Sequence, residues 1–296
     1  MVAFLSEEII ARRMFNTLYI YLDIVFLVGL LALLIVKKKY LTLLFGLFGG
    51  VLYMIVDYGI FHLALGTRQI EGGNMFAVLL WMSMSYGITN FVWMWVWMSR
   101  DREKFLYTAL ICVWWLCAPM LSATFGGKMP TVTIQRTTGS YHGYMALILL
   151  VGYAAAIIFN LFQKDKTKRF PLPWLFVIGV TVQFGWEFSL LIGGIRSAGF
   201  TSTAQKLQTL VVNSLLETNL GAVPIYCIYL LVTSRFTENL KRRGKVSFLT
   251  RMQELNGIPL FKTVEATGAS GDDASVLSPD APKTHAGGTG DDTEEE

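Results

Sequence analysis

Four carboxylates lie inside long apolar stretches of this chain, and their type and position predict a functional site. They are Asp23, Asp57, Glu187 and Glu217. No lysine or arginine lies within the same stretches to neutralise them. A charged side chain at the centre of a bilayer costs about 2.5–3.5 kcal/mol on insertion scales, so such a group normally faces a protein interior or a cavity. The four acids therefore predict a buried site that binds a proton, a cation or a polar solute.

Polar and aromatic side chains accompany these acids at helical spacing. Asn213 lies four residues before Glu217, and residues four apart share one face of a helix. Tyr58 and His62 are also four apart, and they follow Asp57 directly. We therefore predict one polar layer that contacts the substrate or carries protons. Its candidate residues are Asp23, Asp57, Tyr58, His62, Trp186, Glu187, Asn213, Glu217 and Asn219.

Position along the helices places the four acids at nearly one depth. Each acid lies about eight or nine residues from the same end of its apolar stretch, which corresponds to about 12–14 Å at 1.5 Å per residue. Acids at one depth surround a single chamber when their helices pack together. In this interpretation Glu187 and Glu217 carry protons or cations, and Asp23 and Asp57 tune them.

The elements that must position these residues are long apolar runs. The chain of 296 residues is 53% hydrophobic and 16% charged, whereas soluble domains carry about 25% charged residues. About 20 apolar residues span a bilayer as a helix, and these runs lack the alternation of barrel strands. The sequence therefore predicts an all-α bundle of seven membrane helices over residues 15–234. The predicted spans are 15–36, 40–65, 75–99, 105–126, 141–163, 170–195 and 208–233.

Basic residues concentrate in alternate connections between these spans. The basic regions are 37–39, 100–104, 164–169 and 235–245. Because basic loops face the cytoplasm, we predict that the N-terminus lies outside and the C-terminus inside a cell (plasma) membrane. The first run is expected to be a true span rather than a signal peptide, because it lacks a small-residue cleavage site.

The segments that flank the bundle differ in composition. Residues 1–14 are predicted to form an amphipathic lead-in, and the basic segment 235–263 is predicted to be an amphipathic juxtamembrane segment on the bilayer surface. Residues 264–296 are rich in Gly, Ser, Asp and Thr and are predicted to be a disordered, acidic cytoplasmic tail. This tail is a candidate docking arm for a protein partner.

A weak internal repeat relates the first three spans to the last three. A tyrosine followed at the same distance by Leu-Val-Gly occurs in the first span at Tyr21 and in the fifth at Tyr144. Asp57 and Glu187 lie in the second and sixth spans, and each is followed by a Gly-x-Arg sequence. One interpretation is two parallel triple-helix repeats with the fourth span inverting the chain between them. This 3+1+3 layout resembles that of SWEET sugar transporters and other PQ-loop proteins, although the spans contain no Pro-Gln pair.

Several classes of protein are excluded or left without support. No nucleotide-binding loop, CxxC pair, HExxH or GxSxG motif occurs, so the sequence predicts no cofactor, no metal site and no nucleic-acid partner. Cys112, Cys117 and Cys227 are expected to be apolar packing residues. The seventh predicted span contains no lysine, which excludes a retinal Schiff base there.

Three functional hypotheses remain open from the sequence. The first is a transporter or permease for a small solute, coupled to protons or cations through the buried carboxylates. The second is an intramembrane isomerase or hydrolase that acts on a lipid-like ligand. His62, Trp186, Glu187, Asn213 and Glu217 resemble in kind the His, Trp, Glu and Asn inventory of the sterol-isomerase (emopamil-binding) family, in a different order and spacing. The third is a receptor or accessory membrane subunit, and the balance of features favours a protein that is not an enzyme.

Overall fold

The computed structural model of the chain describes residues 11–136, 141–196 and 202–242. Within these ranges, seven helices are long and apolar enough to cross a membrane. The prediction of a multi-pass helical membrane protein is therefore confirmed. The predicted lead-in overlaps the described residues only at 11–14, and the predicted tail 264–296 and most of the juxtamembrane segment 235–263 lie outside them.

The helices follow the predicted spans closely, because the long apolar runs from which the spans were predicted are also the segments that form helices. The second helix changes to a π-helix over Ile55–Ala64. The last helix begins earlier and ends later than the predicted span 208–233. The helices are α1 (Thr17–Val36), α2 (Tyr40–Met54, continued by the π-helix), α3 (Met75–Met98), α4 (Lys104–Phe125), α5 (His142–Phe162), α6 (Leu172–Ile192) and α7 (Thr203–Arg242).

A small antiparallel sheet at one end of the bundle is absent from the all-α prediction. In the described part of the chain its strands are β1 (Ala11–Asn16), β2 (Arg68–Glu71) and β3 (Thr131–Arg136), in the order β1-β3-β2. Each strand is short and lies in a segment that flanks a membrane helix, so the hydropathy of the sequence does not distinguish it from an irregular segment. We call this end of the bundle the sheet end.

Alternation of side chains turns one face of the sheet towards the helices. Phe15, Val132 and Ile134 are buried, whereas Arg12 and Met14 on β1 are exposed. Successive residues of a strand point to opposite faces, so the arginines that share the buried face also point into the protein. The sheet therefore places buried arginine side chains at the ends of apolar helices.

The opposite end of the bundle holds paired charges near its surface. Lys39 lies 2.5 Å from Asp101 and 3.2 Å from Glu103, and Lys37 lies 3.1 Å from Glu103. These pairs join the turn between α1 and α2 to the turn between α3 and α4. The two turns are thereby held together at this end.

Helices α2 and α3 approach each other through glycines. A Cβ atom added at Gly87 of α3 would lie 2.7 Å from the Cα of Gly50 and 2.8 Å from the carbonyl oxygen of Gly49. Real Cβ atoms essentially never come this close to backbone atoms. Small residues are needed here because interhelical packing in a membrane depends on close backbone contact.

We expect Gly87→Ala to destabilise the folded protein by about 1–3 kcal/mol, because the added methyl group overpacks two backbones that cannot move apart freely. The measurement is the thermal unfolding midpoint of the purified protein in detergent. Gly29→Ala in α1 is the matched control, since nothing lies within 4 Å of its added Cβ. Equal unfolding midpoints for the two variants would show that the backbones of α2 and α3 are far enough apart at Gly87 to accept a methyl group.

Helix α3 forms the centre of the bundle, and α5 lies at its periphery. In the most apolar window of α3, 67% of residues are buried, against 6% in α5. Large buried side chains of α3 include Phe91, Met94 and Trp95. The polar side chains of α3 therefore face other helices and are available to connect a buried site.

Candidate functional site

The carboxylate of Asp57 is buried at the sheet end and is paired with arginines. Its Oδ1 accepts hydrogen bonds from Arg68 Nη2 at 2.8 Å and Arg68 Nε at 3.1 Å. Arg136 Nη2 donates to the same oxygen at 3.4 Å, and the hydroxyl of Tyr86 donates to Oδ2. Hydrogen bonds between ionised partners are roughly twice as strong as neutral ones. Asp57 is thus a shared counter-ion for two strands of the sheet.

Sheet register explains why one acid meets both arginines. Arg68 on β2 lies directly opposite Arg136 on β3. Like charges opposite each other destabilise a sheet unless a counter-ion lies between them. Burial and, next, the nearby Arg136 lower the pKa of Arg68 to about 10, against the opposing effect of Asp57. For Arg136 burial is the largest single effect and favours the neutral form, but Asp57 and the other acidic groups nearby together outweigh it and raise the pKa of that guanidinium.

The carboxylate of Glu187 forms a second buried cluster of the same kind. Its Oε1 accepts a hydrogen bond from Arg13 Nη2 at 3.4 Å. Its Oε2 lies 3.0 Å from Arg196 Nε, at an angle outside that of a hydrogen bond. Burial lowers the pKa of Arg13 to about 10, with Arg136 and Arg196 adding to the effect. The guanidinium of Arg13 also lies 5.9 Å from the centre of the Trp186 ring.

These pairs correct the interpretation of the acids as carboxylates without basic partners, which is wrong for Asp57 and Glu187. The partners come from strands and connections beyond the apolar runs, and a long arginine side chain reaches into the helical layer from there. A signal was present in the sequence, because Arg68 and Arg196 follow the two acids closely, four residues beyond the ends of the same helices. The sheet that brings Arg13 and Arg136 inward had no such signal.

Asp23 is buried in a separate, aromatic environment. Its Oδ2 accepts a hydrogen bond from Trp81 Nε1 at 2.9 Å. The rings of Phe15, Tyr19 and Trp81 pack against one another beside it, with centroids 5.3–5.6 Å apart. Asp23 therefore connects α1 to α3 at the sheet end.

Glu217 is held by an amide rather than by an arginine. Gln183 Nε2 donates to Glu217 Oε2 at 2.8 Å, and Thr218 Oγ1 donates to Gln183 Oε1 at 2.6 Å. Gln183 shares a helix face with Glu187, but it bonds to α7. One side chain of α6 thus orients both the carboxylate of Glu217 and the adjacent hydroxyl.

A cavity of about 170 Å³ lies beside Glu217. One Glu and one Arg, Glu217 and Arg136, contribute charge to its wall. An engineered apolar cavity of about 150 Å³ in another protein binds benzene, so this volume is sufficient for a small solute. The wall is built from Leu52, Tyr53, Phe61, Tyr86, Phe91, Arg136, Met145, Glu217, Thr218, Leu220, Gly221 and Ile225.

Helix α3 connects the acidic positions to one another. Trp81 bonds to Asp23, Met82 Sδ lies 3.5 Å from Arg13 Nη1, and Tyr86 bonds to Asp57. The ring of Tyr86 also stacks on Trp186, with centroids 5.5 Å apart. These α3 side chains lie on consecutive turns, so one helix touches Asp23, Asp57 and the cluster around Glu187.

Other predicted residues lie elsewhere. The rings of Tyr58 and His62 face each other at 5.3 Å, and Tyr58 packs on Phe76. Within the π-helix Ile55–Ala64 only Asp57 is buried, so Tyr58 and His62 do not share its buried position. The sequence prediction assumed α-helical spacing here.

The two predicted asparagines of α7 are buried outside the cavity wall. Asn219 packs against Gly179 of α6, and its Nδ2 donates to the carbonyl oxygen of Leu215 at 3.2 Å. Asn213 is buried one turn before Glu217. Tyr53, Tyr86, Arg136 and Thr218, by contrast, line the cavity without having been predicted as site residues.

No group of three His, Cys, Asp or Glu side chains in the described ranges is arranged to hold a metal ion. The polar and aromatic side chains that the structure places at the site carry carboxylate, guanidinium, hydroxyl and aromatic groups. Comparisons with known protein families, with curated proteins and with solved structures find no match for this chain.

Proposed function

We propose that this protein is a transporter or permease for a small solute, and that the cavity beside Glu217 is its substrate site. The observation that carries the proposal is the placement of that cavity. Its wall combines α2 and α3 with α5 and α7, and it carries a carboxylate and a guanidinium among aromatic rings. Transporters bind their substrates at such interfaces between structural repeats.

The proposal includes the 3+1+3 repeat, for which the sheet offers support. The separation in sequence between Tyr21 and Tyr144 is also the separation between Arg13 and Arg136. In the ladder between β1 and β3, Arg13 lies opposite Ile134 and Ala11 lies opposite Arg136. At this separation Arg13 is equivalent to Arg136, and Ala11 is equivalent to Ile134. Replacing each residue by its equivalent therefore turns the first of these pairs into the second. That behaviour is expected of two equivalent strands related by a two-fold axis.

The ion pairs follow the same two-fold arrangement. Asp57 of the first half accepts from Arg136 of the second half, and Glu187 of the second half pairs with Arg13 of the first. Each acid also pairs with the arginine that follows it in its own half. These reciprocal cross-half pairs lie at the sheet end, where they hold the two halves together.

The mechanism we propose assigns different tasks to the acids. Glu217 contacts the solute, and its carboxylate carries the coupled proton or cation. The cross-half pairs of Asp57 and Glu187 close the site at the sheet end, and separation of the two halves opens it. The proposal keeps the predicted orientation, with the N-terminus outside and the C-terminus inside the plasma membrane. A protein partner for the acidic tail stays a prediction.

We expect Glu217→Gln to reduce solute flux by about 10–100-fold, since loss of a hydrogen bond to a charged group costs about 1.5–3 kcal/mol. The protein is reconstituted in liposomes loaded with a mixture of polar metabolites, and the retained solutes are measured by mass spectrometry with and without a pH gradient. Glu71→Gln is the matched control, because Glu71 is exposed on β2. Equal flux through the wild type and Glu217→Gln would overturn the proposal.

Among the described residues, no specific observation favours the enzymatic hypothesis. His62, one of the residues on which that hypothesis depends, packs on Tyr58 and lies outside the cavity wall. The receptor hypothesis depends chiefly on residues 264–296, which lie outside the described ranges.

A further inference from the structure

We infer that the cavity beside Glu217 selects a small zwitterion with an apolar side group, the chemical class to which the neutral amino acids belong. The inference deepens the proposed function and rests on it for the identity of the substrate site. Three features of the cavity wall carry it, namely an anionic group, a cationic group and an otherwise largely apolar surface; we call the two charged groups its anionic and cationic ends.

Glu217 supplies the anionic end. Gln183 occupies its Oε2, while Oε1 has no hydrogen-bond partner among the side chains and backbone that the structure describes. Gln183 is itself held by Thr218, so the carboxylate has a fixed orientation before any ligand arrives. A ligand ammonium group offers three donors, which matches an oriented carboxylate with a free oxygen. The nearby rings of Tyr53 and Phe91 add favourable contacts for a cation.

Arg136 supplies the cationic end. Its Nη2 donates to Asp57, but its Nε is buried and has no hydrogen-bond partner in the described part of the protein. Asp57 is shared with Arg68, so two guanidinium groups depend on one carboxylate at this position. A buried donor without a partner costs about 1–3 kcal/mol, and a ligand carboxylate would remove that cost.

The remainder of the wall is apolar and limits the size of the ligand. Leu52, Phe61, Leu220 and Ile225 face the cavity together with Met145 of α5. The volume of about 170 Å³ is near that of a cavity known to hold one benzene molecule. A compact aliphatic or aromatic side group fits this space, whereas a sugar would leave most of its hydroxyls without partners.

Selection for both charges follows from the cost of leaving either wall group unpaired. A simple amine would pair with Glu217 and leave Arg136 with its free donor. A simple carboxylate would do the reverse and would bring a second anion near Glu217. Sites built to pair with a polar group reject analogues that lack it, because the buried partner is then left unsatisfied. The zwitterion satisfies both ends.

The test is isothermal titration calorimetry on the purified full-length protein in detergent. The probes are glycine, valine, leucine and phenylalanine, with two analogues of leucine that lack one charge each. 3-Methylbutylamine lacks the carboxylate, and 4-methylpentanoate lacks the ammonium group. We expect at least one apolar amino acid to bind more tightly than glycine, and leucine to exceed both of its analogues by about tenfold or more, as one charge-assisted hydrogen bond predicts.

Two variants assign the ends of the ligand. Glu217→Gln should weaken binding of the amino acid and the amine, and should leave binding of 4-methylpentanoate unchanged or tighter. Arg136→Gln should weaken binding of the amino acid and of 4-methylpentanoate, and should leave binding of the amine unchanged or tighter. Arg12→Gln is the control, since Arg12 is exposed on β1. If Arg136→Gln does not fold, the affinities of the wild-type protein for leucine and for its two analogues still test the inference.

Equal affinity of the wild type for leucine and for either analogue would overturn the inference, as would no binding of any of the amino acids at millimolar concentration. The test separates this inference from the proposed function. Binding of the zwitterion without flux in liposomes would refute transport and keep the site. Flux of an amine or a carboxylate without binding of any amino acid would keep transport and refute the zwitterion.

Discussion

Asp57→Asn is expected to destabilise the folded protein by roughly 3–5 kcal/mol, the usual cost of removing one partner from a buried ion pair. The substitution preserves the shape of the side chain but removes the charge that neutralises Arg68 and Arg136. These guanidinium groups lie on neighbouring strands, directly opposite each other. Without the carboxylate they repel each other in a region from which water is excluded. The sheet should therefore separate from the helices before the rest of the bundle unfolds.

The measurement is chemical unfolding of the wild type and the variant in detergent, with hydrogen exchange of the strands as a local probe. Asp165→Asn is the matched control, because Asp165 and Lys168 form an exposed pair three residues apart. Such surface pairs contribute about 0–1 kcal/mol, so the control should be nearly neutral. A change of similar size in both variants would mean that the Asp57 cluster does not hold the sheet.

A disulfide between β1 and β3 is expected to stop solute flux, which is the largest functional effect that the proposed mechanism predicts. Arg12 and Gln135 lie opposite each other in the ladder, and Arg12 is exposed. Opposed residues of antiparallel strands have Cα atoms about 4.5–5.5 Å apart, within the range that a disulfide accepts. In the proposed two-fold arrangement, this residue pair lies on the axis between the halves. A covalent bond there prevents the halves from separating.

The experiment uses Arg12→Cys with Gln135→Cys in liposomes, before and after oxidation. Flux after oxidation should fall to the level of liposomes without protein, and a reducing agent should restore it. Each single cysteine variant controls for the native thiols at Cys112, Cys117 and Cys227, which are partly buried. Full flux through the cross-linked protein would place the exit path elsewhere, for example laterally between helices.

Hydropathy predicted the helices because membrane insertion depends on local composition. A run of apolar residues enters lipid at little cost in free energy, but its backbone N–H and C=O groups must form hydrogen bonds with one another. A helix forms these bonds without any other part of the chain. The spans at Met75–Met98 and Leu172–Ile192 could thus be predicted from their own residues. The sheet could not be predicted in this way, since its strands are separated by whole helices and are stabilised by pairing with one another and by contacts with distant helices.

Helical spacing groups residues along one helix, but it does not show which of them meet a neighbouring helix. Gln183 lies one turn before Glu187 on α6, but its amide donates to Glu217 of α7. Tyr58 and His62 were grouped with Asp57 on the assumption of α-helical spacing, but they lie in a π-helix in which only Asp57 is buried. Composition alone does not reveal a π-helix, because the extra residue per turn is stabilised by packing against neighbouring elements.

The sequence by itself determined that this chain has seven membrane helices and that a few acids within them need partners. Both conclusions follow from the cost of placing polar groups in hydrocarbon, which depends on residue type and on little else. Only the tertiary structure decided which partners those acids have. Asp57 meets Arg136 across 79 residues, and Glu187 meets Arg13 across 174. Such pairs depend on strand register and on the packing of distant helices, so no local pattern in the sequence specifies them.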